Sequence, residues 1–236
     1  MRLEKLCYPL LPLVLLGGCT KSHDLEPAAN ASEVEGLPDA AFTSVDGVQV
    51  VAQAGEWPED QEVLDNSTPI YIEIINGSGM PLRIEYRHFS LASSTGATYA
   101  ALPPFRVQGT PTQPSVIADR ERVALGYRAD GFKVAPYYGH IYEELPTYDR
   151  PFVADQAYYG TAYSHWSGTR LGEPSRTMKI MALPEGVLEP GGHLRGYVYF
   201  PRLPAGPQQV EVRFNAVDAD TGDIFAIAAI PFVQSG

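Results

Sequence analysis

Two runs of period-two alternation, residues 70–75 (IYIEII) and 82–88 (LRIEYRH), flank Asn76-Gly77-Ser78-Gly79, and this arrangement constrains the chain more than any other. Alternation places Ile70, Ile72 and Ile74 on one face and Leu82, Ile84 and Tyr86 on another inward face, with Arg83, Glu85 and Arg87 outward. Residues that tolerate positive φ between two such runs predict a β-hairpin. Phe89 and Leu91 then fall on the outward parity, so a bulge or bend at Arg87 and His88 is expected to turn them back into the core. His88 at that bend reads as a structural histidine bonded to nearby backbone. A hairpin cannot hide its apolar face alone, so a second sheet must come from elsewhere in the chain.

The partners lie mostly far downstream. Strand-like runs occur at residues 48–54, 98–102, 177–183 (TMKIMAL), 193–200 (HLRGYVYF), 208–217 (QQVEVRFNAV) and 224–233 (IFAIAAIPFV), with turn signals at Pro190-Gly191-Gly192, Pro204-Ala205-Gly206-Pro207 and Asp220-Thr221-Gly222-Asp223. The expected inward sets are Leu194, Val198 and Phe200, then Val210, Val212, Phe214 and Ala216. About seven alternating strands without strand-helix-strand order predict a mostly β fold, an immunoglobulin-like antiparallel β-sandwich. Trp57 beside the end of the first run is expected to cap the core. The 22 glycines and 21 prolines are scattered, as suits many short strands and turns.

The N-terminus carries an address. Arg2 and Lys5 precede an apolar run, residues 6–16, that ends in Leu16-Gly17-Gly18-Cys19. The run is too short to span a bilayer. It resembles a bacterial lipobox, which implies cleavage after Gly18 and lipidation of Cys19. Residues 1–18 are then a lipoprotein signal peptide, and Thr20 in place of aspartate implies sorting to the outer membrane, facing the periplasm. Three acyl chains contributing ~0.8 kcal/mol per buried methylene would make the anchor essentially permanent. The other cysteine, Cys7, lies in the discarded segment, so the mature domain has no disulfide and depends on its core.

Residues 19–45 contain few aliphatics and read as a flexible tether, leaving the sandwich at 46–236. Within it, residues 103–176 form an insertion too long for a bare loop, in which residues 116–127 (VIADRERVALGY) suit a strand or a short helix. From 137 to 166 the insertion holds seven of the fourteen tyrosines. Tyr137, Tyr138, Tyr142, Tyr158, Tyr159 and Trp166 are therefore candidate binding residues. Beside Glu143, Glu144, Asp149 and Asp155, such rings can stack on sugars or grip a peptide, or they can seal the flank of the sandwich.

The segments PIYIEIINGSGMPLRIEYRHFSL, GATYAALPP, KVAPYYG, ALPEGVLEPGGHLRGYVYFPRL and DTGDIFAIAAIPFV together resemble a group of uncharacterised proteobacterial lipoproteins with a telokin-like, immunoglobulin-fold domain. The resemblance spans most of the chain from about Val48. It implies the fold and the envelope location, and it transfers no catalytic residue.

No G-x-S-x-G elbow, H-E-x-x-H, C-x-x-C or phosphate-binding glycine loop is present, and Ser164-His165-Trp166-Ser167 lacks a placed acid. No metal or cofactor is therefore expected. Asp218, Asp220 and Asp223 read as a capped turn rather than a calcium loop. A formal charge of −11 disfavours nucleic acid. The sequence thus points to a non-enzymatic, membrane-anchored interaction module for another envelope protein. The alternative is a carbohydrate- or peptidoglycan-binding accessory protein or hydrolase with its site in the tyrosine-rich insertion.

Overall fold

The computed structural model describes residues 25–55, 57–58, 61–117 and 129–234. The leader, Cys19 and most of the 116–127 run lie outside the described residues; Val116 and Ile117 belong to a strand. The fold is mostly β, 47% strand and 15% helix, built as a large, nearly closed antiparallel sheet of sandwich or barrel character.

In chain order the strands are β1 (Leu25–Pro27), β2 (Ser32–Glu33), β3 (Ala40–Val45), β4 (Val48–Gln53), β5 (Ser67–Asn76), β6 (Leu82–Ile84), β7 (Phe89–Ser93), β8 (Thr98–Ala100), β9 (Arg106–Gly109), β10 (Pro114–Ile117), β11 (Ala129–Val134), β12 (Gly186–Pro201), β13 (Gln208–Asp218) and β14 (Ile224–Gln234). Among the described residues, three helices, α1 (Gln61–Asn66), α2 (Gln156–Ser167) and α3 (Arg176–Met181), and two 3₁₀ turns, η1 (Tyr86–His88) and η2 (Pro136–Tyr138), accompany the strands. The main sheet runs β1-β14-β13-β6-β12-β5-β4-β3-β2, with β11 added on β12 and the β7–β8 pair on β13; β9 and β10 pair apart from it.

The expected hairpin is not formed. β5 pairs antiparallel with β12 through Ile75↔His193 to Ser67↔Pro201, and β6 pairs antiparallel with the same strand through Leu82↔Leu188 to Ile84↔Gly186. Both arms therefore run the same way against β12, and Asn76-Gly77-Ser78-Gly79 forms a looped-out interruption instead of a reversal. The Asn76 amide closes its base by donating to Met80 O and Leu188 O at 2.8 and 2.9 Å. Beyond β6 the chain changes partner. β6 also pairs with β13 at Val217 and Asp218, and after η1 β7 pairs with β13 from Phe89↔Phe214 to Ser93↔Val210. Residues 67–93 are thus one interrupted strand that passes from β12 to β13.

The inward sets read from the alternation hold. Ile70, Ile72, Ile74, Leu82, Ile84 and Tyr86 are buried, as are Leu194, Val198, Phe200, Val210, Val212, Phe214 and Ala216. The bend at Arg87 and His88 is η1, and it buries Phe89 and Leu91. Phe89 then stacks on Phe214 with centroids 4.8 Å apart. Trp57 packs edge-on against Tyr197 and Tyr199, as a core cap should.

Several boundaries differ from expectation. Residues 25–45 are not tether: β1 covers the edge of β14 through Leu25↔Gln234, and β3 pairs along all of β4. Asp46 and Gly47, at φ 46° and 81°, make the tight two-residue turn between β3 and β4. Residues 177–183 are not a strand; most of them lie in α3, whose N-cap Ser175 accepts from Met178 N. Pro190-Gly191-Gly192 falls inside β12 rather than between strands. The insertion is not separate from the sheet, because β11 pairs with β12.

Candidate functional site

The insertion closes over the outer side of η1 with its aromatic rings pointing inward. Its helix α2 begins at Asp155, whose carboxylate accepts from Tyr158 N at 3.0 Å. Tyr159, Ala162 and Trp166, spaced along one face, are buried. Two further donors fasten that helix to the sheet: Tyr158 OH bonds Ala101 O at 2.6 Å and Trp166 Nε1 bonds Pro103 O at 2.9 Å. Tyr137, Tyr138 and Tyr142 are also buried and cluster with Phe105 and Phe152. Of the two roles open to these rings, the structure places them in the one that seals the flank of the sheet. Of the six candidate binding residues only Tyr158 is partly exposed, and its hydroxyl is engaged with backbone.

Beneath these rings lie two buried carboxylates that the sequence reading did not single out. Glu85, expected to face outward, is fully buried because the insertion covers that face. It is held by Arg83 Nη2 at 3.1 Å and Arg87 Nε at 2.7 Å, with His88 Nε2 at 3.3 Å. His88 Nδ1 lies 3.0 Å from Arg83 O, the backbone bond expected of a structural histidine. Burial lowers the His88 pKa to about 4, against the pull of Glu85, so the ring is neutral near pH 7. Arg83 also donates to Val153 O at 2.7 Å and lies 4.0 Å over the Phe152 ring.

Glu185 is 1% exposed and sits where the chain leaves α3 for β12. Its Oε1 accepts from Tyr86 N at 2.7 Å and from Tyr159 OH at 2.5 Å. Its backbone carbonyl accepts from Ala135 N at 2.8 Å, next to η2. Tyr137 OH lies 3.4 Å from Tyr159 OH and extends the chain of hydroxyls. Glu185 Oε2 and the Tyr138 hydroxyl are both buried and form no close hydrogen bond, yet Tyr138 lies near enough to favour the ionised carboxylate. Burial raises the Glu185 pKa to about 7, and the neighbouring Glu85 charge raises it further against the lowering effect of its donors. Tyr86, Tyr137, Tyr138 and Tyr159 are all pushed well above the usual tyrosine range, chiefly by burial, so they remain neutral hydroxyls.

Two surface depressions adjoin this cluster. One of about 470 Å³ is lined by Arg83, Arg87, Val153 and the start of α2. The other, about 570 Å³, runs between β9 and α2 past Arg106, Gln108, Gln156 and Tyr163. Among the described residues no group of three or more His, Cys, Asp or Glu side chains is arranged to hold a metal ion. The Asp218 turn bonds its own backbone, with Asp218 Oδ1 accepting from Asp220 N at 2.7 Å, and Asp220 pairs with Arg150. No helix among the described residues is long and apolar enough to cross a membrane.

Comparison with protein-family models, curated proteins and solved structures finds no match.

Proposed function

We propose that this chain is a lipid-anchored lipoprotein of the cell envelope, acylated on Cys19 and placed on the periplasmic side of the outer membrane, whose β-domain is a non-enzymatic interaction module for another envelope protein. The observation that carries the reading is the inward direction of the site chemistry. The insertion's rings, both glutamates and His88 are engaged in holding the insertion on the sheet, which favours a rigid presented surface over a reaction centre. The lipobox-like Leu16-Gly17-Gly18-Cys19 supports the anchor.

Two measurements test the two halves. Metabolic labelling with palmitate is expected to mark the wild-type protein in the membrane fraction and to miss Cys19→Ser; equal labelling of both would overturn the anchor. Crosslinking in intact envelopes followed by affinity capture is expected to recover one reproducible protein partner. Repeated recovery of the chain alone would overturn the interaction module.

A further inference from the structure

A strand of an antiparallel sheet with one face in water alternates apolar and polar residues. β13 does so: Gln209, Glu211, Arg213 and Asn215 point outward between the buried Val210, Val212, Phe214 and Ala216. Its neighbour β14 does not, because residues 224–233 are apolar throughout. Ala226, Ala228, Ile230 and Phe232 fill the core, while Ile227 and Ala229 are exposed and Phe225, Pro231 and Val233 are half-buried on the outer face. Ile224 and Ile227, each 56% exposed, are the two most exposed large apolar side chains among the described residues. Apolar side chains lined up on the outer face of a strand mark a surface that meets something other than water.

The route of the chain names the occupant. β1 pairs with the end of β14, Glu26 opposite Val233, so only residues 20–24 separate Cys19 from the sheet. That span reaches at most about 20 Å. The apolar stripe begins at Val233, beside this root, and runs about 20 Å along β14 to Ile227. Charge agrees with a lipid surface: in a chain of formal charge −11, the charged groups at the outer positions of β1 and β13 are Glu26 and the Glu211–Arg213 pair, bonded at 2.6 Å. The acidic turn at residues 218–223 lies at the end of β14 far from the tether, where Asp220 pairs with Arg150.

We propose that the outer face of β14 docks on the lipid bilayer: the acyl chains on Cys19 hold the root of β1 within about 20 Å of the membrane, and Ile227, Ala229 and Pro231 rest in its headgroup region. The docking rests on the acylation proposed above. A short apolar stripe binds a bilayer weakly by itself, and the anchor supplies the local concentration that makes the contact persistent. The domain then has a fixed orientation, lying on β14 instead of swinging from a long tether, and it meets its partner along the membrane plane.

With Cys7 removed in the leader and Cys19 acylated, Ile227→Cys can carry a single thiol-linked fluorophore in the full acylated protein, reconstituted into vesicles of phosphatidylethanolamine and phosphatidylglycerol. Ile117→Cys, at a side chain 50% exposed on β10 and outside the main sheet, is the reference. Brominated acyl chains are expected to quench the probe at position 227 about twofold or more over the probe at 117, and adding Ala229→Asp should bring the two together. Equal quenching at both positions, in protein that carries palmitate and floats with the vesicles, overturns the docking and leaves the anchor standing. Absence of palmitate fails the anchor, and the docking falls with it. A probe at 227 that is shielded from aqueous iodide yet not quenched by lipid assigns the face to a protein, a second copy or a partner, and overturns the lipid reading.

Discussion

The Tyr159 hydroxyl donates to Glu185 Oε1 at 2.5 Å, so a side chain of the insertion and a carboxylate at the root of the longest strand share one short bond in a site closed to water. A bond to a buried carboxyl is stronger than one at the surface, and its loss leaves Oε1 with the Tyr86 backbone N–H as its remaining donor.

The first consequence concerns pH. A carboxyl whose folded pKa is about 7 against an ordinary 4.5 binds a proton in the folded state that the unfolded chain has already released. Stability is therefore unaffected by this group below about pH 4.5, falls as pH rises toward 7, and carries the full penalty above it, on the order of 3 kcal/mol. Urea unfolding at pH 5 and pH 8.5 should show this slope in the wild type and a much smaller one in Glu185→Gln.

Two hydroxyl deletions should differ in kind. Tyr159→Phe removes a donor to a buried carboxyl and should cost about 1.5–3 kcal/mol, whereas Tyr138→Phe removes a hydroxyl that makes no close hydrogen bond and should lie within about 1 kcal/mol of wild type. Denaturant midpoints measured at pH 6 separate them.

Burial of the aromatic cluster sets a larger effect. Tyr142→Ala opens a cavity beside Phe105 and should destabilise by about 3–5 kcal/mol. The combined Tyr137, Tyr138 and Tyr142 alanine variant should not fold, because the sum approaches the whole stability of a typical domain, about 5–15 kcal/mol. Thermal melts check both.

Pairing of β1 with β14 makes the segment before β3 structural. Deletion of residues 20–34 uncovers the β14 edge and removes the buried Leu25 and Ala28, so the melting temperature should fall by roughly 5–10 °C and the protein should self-associate. Scanning calorimetry and light scattering give the two readouts; a true tether would leave both unchanged.

Side-chain direction was legible from residue order, and strand partners were not. Ile70, Ile72 and Ile74 must share a face in any strand, but nothing in their order says that β12, more than a hundred residues away, lies beside them. Asn76-Gly77 therefore read as a reversal when it is only a detour. Asp46-Gly47, the stronger turn signal, makes the real reversal, and the scarcity of aliphatics before it conceals the strand that it joins to β4. Over residues 177–183 the apolar spacing fits a short helix as well as a strand, and the Ser175 cap decides it. The acid pair had one trace: Arg83, Glu85 and Arg87 alternate in sign on a single strand face, which suits a covered face as well as a solvated one. Glu185 had none, because its environment is assembled from four distant segments.

The detour at residues 77–80 also has a practical side. The chain leaves the ladder and rejoins the line of the same strand, with Asn76 pinning the exit by its own amide, so the length of the loop is uncoupled from the register on either side. An epitope or fluorescent reporter grafted there would ride between the two arms that pair with β12, ahead of the point where the chain passes to β13.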